Sequence, residues 1–185
     1  KASDPLHYKL EVANNRLGAG SSARLFQTLR IEKGYTYGAY SGITGNRFPS
    51  MFYAYGQVRS NVTLESLEIF KDLIQSYGST FTDIDLEKTK NLLVKNNTRR
   101  FETLGNLIGM LDDISRFNLT DNYIENQQDV LLNMNMKEVR SLINQYMNED
   151  NMTYIIVGDA KSQLDRVSKF GYGKPVVLDK LGNPI

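Results

Sequence analysis

The sequence contains no cysteine, and this absence removes several kinds of chemistry at once. Without thiols the chain has no disulfide, no cysteine nucleophile and no sulfur ligand for a metal ion. Protein zinc sites usually take three or four ligands from His, Cys and carboxylates, and this chain offers a single histidine, His7. A zinc centre built from this chain alone is therefore not expected, and we interpret His7 as a structural residue.

The chain also lacks an excess of charge of one sign and long apolar runs. Its 22 basic and 21 acidic side chains leave a formal charge of +1, which indicates neither nucleic acid nor an anionic membrane as a partner. No run reaches the roughly 18 apolar residues that would span a bilayer. The first ten residues, KASDPLHYKL, lack the apolar core of a signal peptide. We expect a soluble chain, and its compartment is left open.

What the sequence does contain is enough apolar residues for one core. A length of 185 residues with 41% hydrophobic content predicts a single domain, residues 1–185. Helical spacing and capping residues predict helices after Asp4-Pro5, after Ser21 or Ser22, from Leu64 to Gly78, from Thr82 to Arg100, after Thr103, after Thr120, after Asn135, and from Ser162 to Phe170.

The strand signals are fewer than the helix signals. Alternation over residues 35–44 and 51–59, with the turn GNRFPS between them, predicts an antiparallel hairpin. The run MTYIIV, residues 152–157, predicts a further strand in the interior of the sheet. This order of elements favours an α+β fold, a two-layer sandwich in which helices pack mainly on one face of a mostly antiparallel sheet.

A core-facing side is predicted for the helix after Thr103. The segment after Thr103 repeats apolar residues at helical spacing, interrupted by Gly105 and Gly109. Its predicted core face comprises Leu104, Leu107, Ile108, Leu111 and Ile114.

The segment LRIEKGYTYGAYSG, residues 29–42, carries the candidate site. Arg30 lies on the last turn of a predicted helix and Tyr37 on the strand that follows, so a short turn can bring both side chains to one edge of the sheet. A guanidinium can bind a carbonyl or carboxylate, and a phenol can donate a hydrogen bond to a developing oxyanion. The alternative is structural: a cation favoured by the helix dipole and a tyrosine that fills a strand.

A resemblance to a known family bears on this choice. LGAGSSARLFQTLRIEKGYTYGAYSG (17–42) resembles the signature of the C-terminal, non-zinc domain of pitrilysin- and insulysin-type zinc metallopeptidases, the family that includes mitochondrial processing peptidase. The resemblance is to bacterial members and continues through DPLHYKLEVANN (4–15), RSNVTLESLEIF (59–70), RFET (100–103), DNYIENQQDV (121–130) and YIIVGDAKSQLDRVSKFGYG (154–173).

The resemblance implies a division of labour between two homologous domains that face each other across a peptide-holding cavity. One domain carries an H-x-x-E-H motif and binds zinc, and the other, represented here, binds no metal. Arg30 would hold the substrate backbone and Tyr37 would contact the polarised carbonyl, both as catalytic and substrate-binding residues acting in trans to the zinc. Tyr35 and Tyr40 are interpreted as packing or cavity-lining residues. The implied activity is a zinc-dependent endopeptidase that cleaves extended peptides and is inactive as this chain alone.

Two departures from the family pattern affect the expectations. Ala19 stands between Gly18 and Gly20 where the family usually has a third glycine, which is unfavourable if that residue needs a positive φ. The first strand of the family domain is not visible, so we expect a fragment of a longer chain with an unpaired sheet edge that could support a homodimer.

Two other functions remain open at this point. The chain could be a non-proteolytic structural or regulatory subunit of the same fold, or a free-standing peptide-binding module.

Overall fold

The computed structural model describes all residues from Lys1 to Ile185. Its elements are α1 (Pro5–Gly18), α2 (Arg24–Phe26) continued by a π-helical turn (Gln27–Glu32), β1 (Thr36–Ile43), β2 (Phe52–Val58), α3 (Thr63–Thr80), α4 (Asp83–Arg99), α5 (Leu104–Phe117), α6 (Tyr123–Asn133), α7 (Met136–Tyr146) and α8 (Ala160–Val167). Short 3₁₀ helices occupy Ser60–Val62, Glu149–Asn151 and Ser168–Phe170. No helix combines the length and the apolar composition needed to cross a membrane.

Several helix starts follow directly from the local sequence. The side chain of Asp4 accepts a hydrogen bond from the Leu6 N–H at 2.8 Å, and Pro5 occupies the first helical position. Thr82 and Asp85 form a capping box at the start of α4, in which each side chain accepts a hydrogen bond from the other residue's backbone N–H. These groups satisfy N–H donors that a helix leaves free at its first turn.

The sheet is an antiparallel hairpin of β1 and β2 with helices packed on one of its faces. Ala39 and Ser41 of β1 are buried against the helices, while Tyr53 and Tyr55 of β2 are exposed on the opposite face. The predicted α+β class, with helices mainly on one side of an antiparallel sheet, is confirmed.

Helix α1 lies at the centre of the molecule because it contacts both the hairpin and the helical layer. Leu17 of α1, Leu25 and Leu29 are fully buried in the core, together with Tyr77 and Phe81 of the α3 end. The Tyr77 hydroxyl donates to the carbonyl of Ala13 at 2.7 Å. Burial raises the pKa of Tyr77 far above its usual value, so this phenol remains a donor.

The hairpin is joined to α1 by a buried polar contact and a close backbone approach. Asn14 donates from its side-chain amide to the Ser41 carbonyl at 3.0 Å and accepts from the Ser41 hydroxyl at 2.6 Å. Gly18 lies so close to β1 that an added Cβ would sit 2.2 Å from the Ser41 backbone nitrogen. Only a residue without a side chain fits at this point.

The Ala19 departure does not strain the loop after α1. Ala19 has φ −87° and ψ 43°, and Gly20 takes the positive φ of 140°. The positive φ is therefore adopted by the neighbouring glycine, which has no Cβ that could clash with the backbone.

The predicted core role of the helix after Thr103 is wrong. The helix itself forms as α5, but none of its residues is buried, and Leu104, Ile108 and Leu111 are 73%, 58% and 65% exposed. Apolar periodicity specifies an amphipathic helix, whereas burial also needs a facing surface, and this chain provides none there.

The prediction of an interior strand at residues 152–157 is also wrong. The segment belongs to no helix or strand, and residues 153–158 make no backbone hydrogen bond within the chain. Tyr154 packs inward against Phe170, with ring centroids 4.8 Å apart, while Ile155 and Val157 are 85% and 96% exposed. A strand requires a hydrogen-bonding neighbour, and no other strand lies beside this segment.

The remaining corrections concern element boundaries. Helix α2 begins at Arg24 without a side-chain cap from Ser21 or Ser22, α3 continues past Gly78 to Thr80, and α6 begins at Tyr123. Such shifts are expected where no strong capping residue fixes a helix end.

Candidate functional site

Arg30 lies on the π-helical turn that connects α2 to the hairpin. At the end of this turn Gly34 adopts a left-handed conformation, with a φ of +64°. The Tyr35 N–H then donates to the Leu29 carbonyl at 2.9 Å. Leu29 is fully buried, which anchors the turn, while the neighbouring Arg30 is exposed. Single π-helical turns occur often at functional sites because the wider turn redirects side chains.

Tyr37 reaches solvent because β1 carries a bulge at this position. Thr36 pairs with Val58 and Ala39 with Gly56, so β1 contains one residue more than β2 in this interval. The Gly38 N–H donates to the Thr36 hydroxyl oxygen at 3.0 Å, which stabilises the irregular backbone. The bulge places Tyr37 in solvent, 91% exposed, while Ala39 two residues later is buried.

The turn and the bulge bring Arg30 and Tyr37 together. An Arg30 guanidinium N–H donates to the Tyr37 backbone carbonyl, and the guanidinium carbon lies 6.0 Å from the centre of the Tyr37 ring. The same guanidinium lies 5.1 Å from the centre of the Phe26 ring. Arg30 is thus held by one hydrogen bond and an aromatic face, and its other donors point to no acceptor within the chain.

The other two tyrosines of the segment lie apart from this pair. Tyr35 is partly buried and packs against the hydrophobic core. Tyr40 lies on the open face of the hairpin, where its ring is 5.8 Å from that of Phe26 and 5.9 Å from that of Tyr55. A Cβ at Gly38 would lie 2.6 Å from the Tyr40 ring, so the glycine makes room for it.

Tyr53 and Tyr55 belong to the same surface as Tyr40, which was not expected from the sequence. They lie on β2 with ring centroids 6.0 Å apart, and Tyr55 pairs with Tyr40 across the hairpin. Their spacing of two residues in MFYAYGQVR was the available signal, because alternate residues of a strand share a face.

An ion pair at the N-terminus of α2 helps to hold the segment that carries Arg30 in place. Arg24 donates to the Asp85 carboxylate at 2.9 Å and to the Thr80 carbonyl at 2.9 Å. Burial opposes ionisation of Asp85, but hydrogen bonds from Thr82 and the Arg24 guanidinium outweigh it and lower the pKa of the carboxyl group. The ion pair ties the start of the Arg30-bearing segment to α3 and α4.

The side chains of this chain do not fit a metal site. No three His, Asp or Glu side chains are grouped so that they could hold an ion. His7, the only histidine, is buried with Nε2 3.3 Å from Glu11 and Nδ1 3.4 Å from the Ser50 hydroxyl. Zinc is therefore not assigned to any residue here.

The fold and the site define an α+β domain that presents an arginine and a tyrosine side by side at one end of an open hairpin. The sequence profile of the family "Peptidase M16 inactive domain" matches residues 1–93, half of the chain. The chain belongs to this family, as an inactive peptidase-like domain.

Known relatives agree with this assignment. The chain is 24% identical to the non-peptidase homolog YmxG of Helicobacter pylori over 155 residues, which cover 78% of this chain and 34% of that protein. The solved Peptidase M16 inactive domain of Pseudomonas fluorescens is 25% identical, with a TM-score of 0.71 over 80% of this chain and 36% of that one. The chain thus spans about a third of the length of these relatives.

A further solved structure matches the fold over nearly its whole length. It is the inactive peptidase domain of a candidate zinc protease from Bordetella parapertussis, 16% identical, with a TM-score of 0.67 over 85% of this chain and 86% of that one.

Proposed function

We propose that this chain is the substrate-binding, non-catalytic half of a zinc-dependent endopeptidase that cleaves extended peptides. The observation that carries the proposal is the contact between Arg30 and Tyr37, an exposed pair presented by a π-helical turn and a bulge. The π-helical turn positions Arg30 and the bulge exposes Tyr37, so both irregular features act on the same pair. This favours a functional role for the pair over the structural interpretation, in which Tyr37 only occupies a strand position. A zinc-bearing H-x-x-E-H domain, in the same or another chain, completes the assembly.

The chemistry expected of the pair follows from its donors. Arg30 offers the guanidinium donors that remain after its bond to Tyr37, which suits a peptide carbonyl or carboxylate. The Tyr37 hydroxyl is placed in open space, where it can donate to the oxyanion that develops on an attacked carbonyl. Zinc in the facing domain would supply the activated water.

The test is a peptide-hydrolysis assay of this chain combined with its zinc-bearing partner. Tyr37→Phe removes one oxyanion donor and is expected to lower kcat by about 10²-fold with little change in KM. Arg30→Lys is expected mainly to raise KM because the fork of donors is lost. Tyr146→Phe, an exposed tyrosine on α7, is the matched control. Unchanged kcat in the Tyr37→Phe assembly refutes the role given to this phenol.

A second candidate function is a non-proteolytic structural or regulatory subunit. It is favoured by one finding, the description of the Helicobacter pylori relative as a non-peptidase homolog. The two candidates differ in one measurement, since the subunit would bind its partner domain without any cleavage of peptides by the assembly.

We also propose that the segment Met152–Val157 is a pairing edge through which two copies of the chain associate. Residues 153–158 present backbone groups without partners, and Ile155 and Val157 present apolar side chains to solvent. An exposed apolar segment of this composition readily forms backbone hydrogen bonds with a strand of another molecule.

A further inference from the structure

Three tyrosines form a continuous aromatic surface on the open face of the hairpin, which we name the tyrosine row: Tyr40, Tyr55 and Tyr53. Neighbouring ring centroids along the row are 5.9 Å and 6.0 Å apart, and the last two rings are inclined by only 27°. Phe26 joins the row to the site, because its ring contacts both Tyr40 and the Arg30 guanidinium. The tyrosine row and the Arg30–Tyr37 pair are therefore neighbouring parts of one surface.

Packing within the sheet explains only part of the row. The rings of Tyr40 and Tyr53 cover Gly38 and Gly42, where an added Cβ would approach them to 2.6 Å and 2.8 Å. Aromatic cover of this kind compensates for glycine in a strand. Tyr55 covers no glycine and is 55% exposed. Its ring packs beside the other two rings of the row and otherwise faces solvent.

The charge around the row points to an acidic ligand. Residues 24–59 contain five basic side chains and one acidic side chain, a net +4, whereas the whole chain carries +1. Arg24 is paired with Asp85, but Arg30, Lys33, Arg47 and Arg59 form no ion pair. Arg47 lies in the turn at one end of the hairpin and the other three lie near the opposite end, so both ends of the row are positive.

The spacing of the row matches that of an extended peptide. Alternate side chains of an extended chain project on the same side about 6.6–6.8 Å apart. The centroids of Tyr55 and Tyr53, which follow each other along β2, are 6.0 Å apart and close to this repeat, whereas the 5.9 Å step from Tyr40 to Tyr55 crosses the hairpin. Rings separated in this way can each stack with one of two aromatic side chains at positions i and i+2 of a ligand.

We propose that the tyrosine row binds an extended acidic peptide through aromatic side chains at alternate positions, with a carboxylate or carbonyl of the peptide on Arg30. This inference rests on the proposed function and specifies its substrate class. The row selects for alternating aromatic residues, and the cations at both ends of the hairpin select against basic peptides.

The experiment measures binding of a synthetic peptide to the whole 185-residue chain. The probe has two Trp residues separated by one Ala, flanking Glu residues and a free C-terminal carboxylate. Because the chain contains no Trp, fluorescence anisotropy of Trp reports the probe alone. Two comparison peptides have the same length: one with the two Trp residues adjacent, and one with Lys in place of Glu. Both are expected to bind more weakly.

Tyr55→Leu is the decisive variant because Tyr55 covers no glycine, so the hairpin should keep its fold. Loss of one stacked ring is expected to weaken probe binding about threefold to tenfold. Tyr146→Leu removes an exposed tyrosine outside the row and is expected to bind the probe like the unchanged chain. Circular dichroism of each variant establishes that it is folded.

Three results overturn the inference: equal affinity of the Tyr55→Leu and Tyr146→Leu chains, equal affinity for the two Trp spacings, or no binding of the probe at all. None of them decides the proposed function, which depends on kcat of the Tyr37→Phe assembly. Conversely, selective binding of the spaced probe by an assembly without hydrolytic activity supports the row and contradicts the endopeptidase.

Discussion

Substitution of Gly18 by alanine tests how the site-bearing hairpin is positioned. The new Cβ would lie 2.2 Å from the Ser41 backbone nitrogen, 2.3 Å from its Oγ and 2.8 Å from its Cβ. The hydroxyl can rotate away, but the backbone nitrogen belongs to β1 and cannot move independently of the hairpin. The substitution should therefore push β1 away from the end of α1.

The expected cost has two parts and one small compensation. Overpacking against backbone costs about 1–3 kcal/mol. Displacing the Ser41 hydroxyl leaves the buried Asn14 side-chain oxygen without its donor, which costs about 1–3 kcal/mol. Alanine regains up to about 1 kcal/mol of helix propensity. We expect the free energy of unfolding to fall by about 3 kcal/mol, within the roughly 5–15 kcal/mol that domains possess.

Urea unfolding followed by circular dichroism provides the assay, with Gly109→Ala as the matched control. Gly109 also lies in a helix, but an added Cβ there meets nothing within 4 Å. That variant should gain about 0.5–1 kcal/mol, because only propensity changes. If Gly18→Ala is as stable as the unchanged chain, the close approach between α1 and β1 described here is not present in solution.

Two further predictions concern charge and association. Asp85→Asn should lower the free energy of unfolding at neutral pH. Because the folded-state pKa of Asp85 is depressed, its stabilisation is present above about pH 4, its usual pKa, and is lost as the pH falls further. The difference in stability between the two chains should therefore vanish in acid unfolding measurements. Association through residues 152–157 predicts that the mass measured by analytical ultracentrifugation rises with protein concentration. Val157→Pro should reduce this mass to the monomer value, because proline cannot donate a backbone hydrogen bond. If the unchanged chain is a monomer at all concentrations, the proposed association is contradicted.

Local sequence was sufficient for most helices and for the hairpin. Asp4 before Pro5, Thr82 with Asp85, and Asn135 before Glu138 each cap a helix where the sequence predicts one. These interactions join residues two or three positions apart, so their energies do not depend on the rest of the fold. Gly34 likewise takes the left-handed conformation that is typical of glycine after a helix end.

The contact between Arg30 and Tyr37 agrees with the short turn expected from the sequence, but the exposure of Tyr37 was not predictable. The resemblance named Arg30 and Tyr37, and the structure places them in contact. Strict alternation along β1 would put Tyr37 on the same face as Ala39, which is buried. The bulge, which depends on the pairing of β1 with β2, changes this and exposes the phenol. A bulge is a property of two strands, so the sequence of one strand does not specify it.

The amino-acid sequence by itself determined which segments are helical, where the hairpin turns and that no metal cluster of His and Cys can form, because these depend on near neighbours and on composition. The tertiary structure decided which apolar segments are covered. The apolar face of α5 and the run MTYIIV have patterns typical of buried elements, yet both are exposed here. Burial and strand pairing each require a second surface, and whether one lies opposite is decided only when the chain is folded.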